Sequence, residues 1–202
     1  MRPINIVRII VLTVTLSVAN TAHARSIIRE PAQHRDYSVE LEPHFVLDWS
    51  GIEGPGREGF GAGFRASIPL FRNGPVTTIN NNMAISFGLD WARGSRPCGP
   101  RRPEVWDYDC SIDSFWFPIA LQWNFFLTDV ISVFGEPGLA LVHYRWEHWE
   151  RCWAPGYCDP DGHDTRLKPV LWGGARFLLS DSIGITVRVG YPSITAGVSL
   201  LL

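Results

Sequence analysis

The chain has 202 residues, enough for one domain of ordinary size. Its formal net charge is only -2, which removes the electrostatic case for nucleic acid as a partner. With 46% hydrophobic residues, 9 Trp and 11 Phe it must shelter a large apolar surface, yet no run beyond the N-terminal stretch reaches the ~18 to 20 apolar residues of a membrane helix.

Residues 1–24 read as a secretory signal peptide. Arg2 and Arg8 charge its start, Ile9 to Ala19 is apolar, and Ala22-His23-Ala24 is a small-x-small cleavage site. The mature chain is expected to begin at Arg25. No Cys stands directly after the cleavage site, the first being Cys98, so no lipid anchor is expected there, and export makes disulfides permissible. Residues 25–36 are polar and without periodicity, a lead-in on the periplasmic side.

From Tyr37 the apolar residues recur at every second position, the signature of a β-strand with two unlike faces. Tyr37, Val39, Leu41, Pro43, Phe45, Leu47 and Trp49 share one face, and Ser38, Glu40, Glu42, His44, Val46 and Asp48 the other. After a Gly-rich loop at 51–59, Phe60, Ala62, Phe64, Ala66, Ile68 and Leu70 alternate with Gly61, Gly63, Arg65 and Ser67. A connection at 72–82 leads to Met83, Ile85, Phe87, Leu89 and Trp91, set against Ala84, Ser86, Gly88, Asp90 and Ala92. A long loop over residues 94–113 follows. The fourth strand carries Phe115, Phe117, Ile119, Leu121, Trp123 and Phe125 outward, with Trp116, Ala120, Gln122 and Asn124 inward. Beyond the tight turn at Thr128-Asp129, Ile131, Val133, Leu139 and Leu141 face out, and Glu136, Gly138 and Ala140 face in. Pro137 is expected to mark a bulge there.

A second long loop spans residues 147–165. Leu171, Gly173, Ala175, Phe177 and Leu179 then oppose Lys168, Trp172, Gly174 and Arg176. The last two runs, Ile183 to Tyr191 and Ile194 to Leu202, alternate in the same way around tiny turns at 180–182 and 191–193. The count is eight. Three of the four connections on one side are long, and two of the three on the other are tight. Eight alternating strands with that asymmetry predict an all-β, antiparallel, up-and-down transmembrane barrel over residues 37–202, placed in the outer membrane.

In strand number, alternation and loop asymmetry the chain resembles the small eight-stranded outer-membrane β-barrel family, the OmpA-type transmembrane domain and its single-domain relatives. The resemblance implies insertion by the barrel-assembly machinery and contact with outer-membrane lipids and lipopolysaccharide. Leu202 departs from the aromatic residue with which such barrels usually end.

The inward face carries the charge. Glu40, Glu42, Asp48, Asp90 and Glu136 are its acids, and Arg65, Lys168, Arg176 and Arg188 its bases, with His44 as a fifth. An Arg or Lys facing mid-bilayer lipid costs about 2 to 4 kcal/mol, so confinement of these charges to one face fixes the register. Eight strands enclose a space that side chains fill. The expectation is a lumen plugged by salt bridges, with a narrow conducting channel as the alternative.

The four cysteines fall in the two long loops. Cys98 with Cys110 and Cys152 with Cys158 are the local pairs among three possible connectivities, stapling the loops. Their spacing is not the CxxC form of zinc sites, and no metal or cofactor is expected. Trp106, Tyr108, Trp149, Trp153 and Tyr157 in those loops form either a surface for a ligand, glycan or lipid headgroup or a small loop core. Asp159-x-Asp161-Gly162 lacks the later Glu of a calcium loop and reads as a turn.

Lipid deacylases on such barrels need His and Ser two apart on a strand. Here His44 is followed at that spacing by Val46, and His143 by Arg145. No GxSxG, HExxH or phosphate-binding Gly loop occurs, so no catalytic residue is assigned. A lipid-modifying enzyme using His143 at the membrane surface is the alternative to a structural, surface-binding barrel.

Overall fold

A computed structural model describes residues 24–49, 59–98, 108–147 and 162–202, with the backbone alone described at 95–98, 108–110 and 146–147. The signal-peptide reading therefore lies outside the described residues except at Ala24. So do Cys152, Cys158, Trp106, Trp149, Trp153, Tyr157, Asp159 and Asp161.

The described chain forms β1 (Glu40–Asp48), β2 (Gly59–Phe71), β3 (Asn81–Cys98), β4 (Tyr108–Phe126), β5 (Ile131–Glu147), β6 (Gly162–Leu178), β7 (Ile183–Tyr191) and β8 (Ser193–Leu201). Each strand pairs antiparallel with its sequence neighbours, and β1 closes on β8 into a barrel. Closure leaves no open edge, so every strand has backbone partners on both sides.

Burial follows the alternation of the sequence strand by strand. In β1 the even-numbered residues are buried and Pro43 and Phe45 exposed, while in β7 Gly184, Thr186 and Arg188 are buried between exposed Ile183, Ile185, Val187 and Val189. Large apolar side chains are thus exposed all round the barrel, from Phe45 and Phe64 through Ile119 and Leu139 to Leu171 and Val198. Buried arginines inside and exposed leucines outside invert the order of a water-soluble protein, and only a hydrocarbon surround makes that arrangement stable. Ile131 to Leu141 and Leu167 to Phe177 supply the ~9 to 11 residues that a tilted strand needs to cross a bilayer.

Three expectations are corrected. First, the long loops are shorter than the residue types suggest. β3 continues to Cys98 and β4 begins at Tyr108, so the 94–113 connection narrows to residues 99–107. The 147–165 connection likewise narrows to 148–161, because Gly162, His163 and Asp164 already belong to β6. Gly, Pro and charged residues disguise these ends. Outside the bilayer a paired ribbon no longer needs a lipid-facing row, so the apolar alternation lapses while the backbone ladder goes on.

Second, Cys98 and Cys110 lie in strands. Cys98 is opposite Tyr108 and Cys110 opposite Arg96, on one face of the β3–β4 ribbon.

Third, there is no bulge at Pro137. It pairs in register with Leu171 between Glu136↔Trp172 and Gly138↔Val170, and the β4–β5 register is the same on both sides of it. The shift falls instead in β2, between Pro69 and Phe71.

The polar lead-in is built onto the barrel. Ser26 bridges Thr128, the Ile27 amide donates to the Leu127 carbonyl, and the Asn80 amide donates to the Ile28 carbonyl. Ile27 and His34 are buried, the His34 ring lying flat on Phe126 at 4.1 Å between centroids and 5° between planes. Arg35 pairs with Asp181 and Arg72 with Asp36, so the segment touches all three turns at its end of the barrel.

Candidate functional site

The lumen is the first candidate. Glu40, Glu42, His44 and Asp48 come from β1, Arg65 from β2, Asp90 from β3, Glu136 from β5, Arg176 from β6 and Arg188 from β7, and all are buried. Arg188 lies between two carboxylates, its Nε 2.7 Å from Glu136 Oε2 and its Nη1 on Glu42 Oε1. Arg176 holds Glu40 through two nitrogens, with Nε at 2.8 Å from Oε1. Arg65 Nη2 is 2.7 Å from Asp90 Oδ2, and His44 Nε2 is 2.9 Å from Asp90 Oδ1. The other His44 nitrogen, Nδ1, lies 3.1 Å from the Glu42 carbonyl oxygen. Both ring nitrogens therefore lie within hydrogen-bonding distance of an oxygen atom.

Small residues make room for these groups. A Cβ on Gly63 would fall 2.4 Å from His44 Nε2 and 2.5 Å from Asp90 Oδ1. Asp48 is buried at the far end of β1. Lys168 is only half-buried, and its Nζ donates to the Tyr144 hydroxyl at 3.0 Å over the rings of Tyr144 and Trp116.

Two further layers flank the charges. Toward the long connections, Trp116, Ala140, Val142, Tyr144, Val170 and Trp172 pack as one buried apolar cluster. Arg65 joins it to the charged layer by lying 4.7 Å from the centre of the Trp172 ring. The inward Phe134 sits under both Arg176 and Arg188, at 5.7 and 5.0 Å. Toward the turns, Asn80, Asn81, Asn82, Gln122 and Asn124 are buried, and the lead-in covers that mouth. A charge inventory alone overlooks Phe134 and Tyr144. The signal was present, since both fall on the inward parity of β5.

The second candidate is the rim of the outer face. Trp91, Phe115, His143 and Thr165 are side by side on β3 to β6, and Arg93, Asp113, Arg145 and His163 form the next row outward. His143 Nδ1 lies 2.9 Å from Thr165 Oγ1, and its ring is 6.0 Å from that of His163. Trp91 Nε1 donates to Asp113 Oδ1 at 3.1 Å, and Arg93 Nε is 3.7 Å from the same oxygen. The hydroxyl missing at +2 from His143 is thus supplied by Thr165 across the ladder, which no spacing rule along one strand would reveal. Among the described residues no group of three or more His, Cys, Asp or Glu side chains is placed to hold a metal ion.

The third candidate is the mouth at the turns, where burial lowers the His34 pKa below its ordinary value. The Asn80 hydrogen bond and Asp36 oppose that shift, and Arg72 adds to it. At the exposed turn beside it, Arg35 lowers the pKa of the Asp181 carboxyl.

No family model and no curated protein matches the sequence. Among solved structures the chain is similar to Neisserial surface protein A, NspA, with a TM-score of 0.50 and 12% identity over 81% of this chain and 96% of that one. It is also similar to Ail, the attachment invasion locus protein of Yersinia pestis, with a TM-score of 0.47 and 9% identity over 82% of this chain and 100% of that one. The N-terminal β-barrel domain of Pseudomonas aeruginosa OprF gives 0.36 and 10% over 82% and 96%. At such identity the likeness to NspA speaks to fold alone, and the closed sheet with its lipid-facing belt agrees with it. By fold, the chain is a small eight-stranded outer-membrane β-barrel.

Proposed function

We propose that this protein is a non-conducting, non-enzymatic outer-membrane barrel that spans the bilayer and presents its long external hairpins to a partner. The observation that supports the reading is the set of buried inward side chains: paired charges in the middle, an aromatic cluster on one side, and the docked lead-in on the other. Charges paired across so narrow an interior suit the holding of eight strands in one register better than permeation. In planar bilayers the purified barrel should give no discrete conductance steps, and reproducible steps would reverse the assignment.

The external hairpins are the expected contact surface for a ligand, glycan or lipid headgroup. β3–β4 and β5–β6 extend well past the span, and Cys98 and Cys110 share a ribbon face where a staple would brace the tip. Peptide mapping under non-reducing conditions tests the Cys98–Cys110 and Cys152–Cys158 pairs. Lipopolysaccharide is the expected surround, and β8, ending at Leu201, the expected signal to the barrel-assembly machinery.

One contact favours a second reading, a lipid esterase or acyltransferase. His143 beside Thr165 joins a base to a hydroxyl on the lipid side. Turnover of phospholipid or lipid A by purified protein, abolished in His143→Ala, would establish it. Absence of turnover on both lipids keeps the structural assignment.

A further inference from the structure

We infer that the outer face of β3 to β6 holds a specific site for one phosphorylated, acylated lipid of the outer leaflet. The inference locates a site for the lipid contact proposed above. It is independent of whether the lumen conducts.

The site has two parts, set one above the other by the strand register. The lower part is a groove of about 510 Å³ on the lipid-facing wall. Its floor is made by compact residues, Ala120, Pro137 and Gly138, and its walls by longer ones such as Phe117, Leu141 and Leu167. The reason is visible in the rows. Ile119 is followed across the sheet by Leu139 and then by Pro169, and Pro137 stands beside Leu171, so short rings interrupt rows of long side chains. A smooth leucine-rich wall offers acyl chains no preferred seat, whereas a trough of this size gives a chain contacts on several sides, within the range of small-molecule sites at ~300 to 1,000 Å³.

The upper part is the row Arg93, Asp113, Arg145 and His163, two residues outward of Trp91, Phe115, His143 and Thr165. Trp91 marks the depth of the interface, where indole rings settle with the N–H toward polar partners. Here its N–H reaches Asp113. Arg93 and Arg145 therefore lie at headgroup depth, with two imidazoles alongside and Asp113 as the acid among them. Arg93 is half-exposed and Asp113 largely covered, so the Arg93 guanidinium reaches the surface beyond its ion pair with Asp113. Glu147 occupies the next outward position on the same face of β5, above the row. Guanidinium groups at that depth suit a phosphate monoester or diester, which they can hold through paired N–H donors. The apolar groove directly beneath selects a phosphate that carries acyl chains, and the bilayer supplies it.

The test uses the full mature barrel in detergent, with native mass spectrometry reading bound lipid. The probes are bis-phosphorylated lipid A, the same lipid dephosphorylated, and inorganic phosphate. We expect one tightly retained lipid A, at least about tenfold weaker retention of the dephosphorylated form, and no retained phosphate. Arg93→Gln with Arg145→Gln should reduce lipid A retention by about tenfold or more while leaving dephosphorylated lipid unchanged. Leu139→Trp, which narrows the groove, should weaken both. Heat-modifiable migration reports folding of each variant. Equal retention of the two lipids, insensitivity to the double Arg variant, or a dimer formed through this face in place of lipid would overturn the site. None of these outcomes bears on conductance, so the proposed function stands or falls separately.

Discussion

Arg188 shows how one residue can hold several strands. It reaches Glu136 on β5 and Glu42 on β1 from β7, and it lies over Phe134. Removing it leaves two buried carboxylates without their shared cation, a change that costs about 3 to 5 kcal/mol when a buried pair is broken from one side. Arg188→Met should therefore lower the urea midpoint of the folded, fast-migrating form sharply, and a change below about 1 kcal/mol would count against the network as a holding device. Replacing Glu42, Glu136 and Arg188 together by Gln, Gln and Met should recover part of the loss, because no unpaired ion remains. This residue was legible in the alternation, which places Arg188 inward. Its partners were not, because they lie 52 and 146 positions away in the chain.

Two elements behave differently from what their composition implies. The lead-in, polar throughout, docks by backbone hydrogen bonds and by two buried side chains, Ile27 and His34. Because burial lowers the His34 pKa, the unfolded or undocked segment takes up a proton first as pH falls. The docking contribution is then complete above the ordinary histidine pKa of about 6.5 and declines as pH drops below it toward the lowered value. Hydrogen exchange at Ile27 and Asn80, corrected for intrinsic rate, should quicken on acidification from pH 7.5 to pH 5.5, and His34→Gln should remove that dependence. An unchanged ratio in the wild-type chain would sink the idea.

The hairpins are the second case. Replacing residues 99–107 by a four-residue Gly/Ser turn shortens only the connection and should leave thermal stability of the folded form within a few degrees of the original. Deleting 95–113 also removes ladder pairs from Ser95↔Ser111 to Cys98↔Tyr108, together with Asp113 and its bonds to Trp91 and Arg93. That variant should melt measurably lower, and equal melting of the two would show that the outer ladder adds nothing.

For the whole molecule, the occlusion proposed above would be distributed through the depth of the barrel. The lead-in covers one mouth, yet the Arg–Glu layer and the Trp116–Tyr144–Trp172 cluster lie beyond it. A mature chain lacking residues 25–36 should accordingly remain silent in planar bilayers at neutral pH. Discrete steps in that variant would assign the closure to the lead-in and make it a gate.

Alternation by itself determined the number of strands, which side chains meet lipid and which meet the interior, and the end at which most of the long connections lie. It could do so because a residue on a bilayer-spanning strand has two unlike surroundings, and each imposes its own chemistry at every step. The tertiary structure decided the rest: which acid faces which guanidinium, that Thr165 stands beside His143, that the ribbons run on past the apolar rows, and that a polar lead-in docks on the turns at one end. Those outcomes depend on register, shear and backbone hydrogen bonding between segments distant in sequence, and none of these leaves a period in the order of the residues.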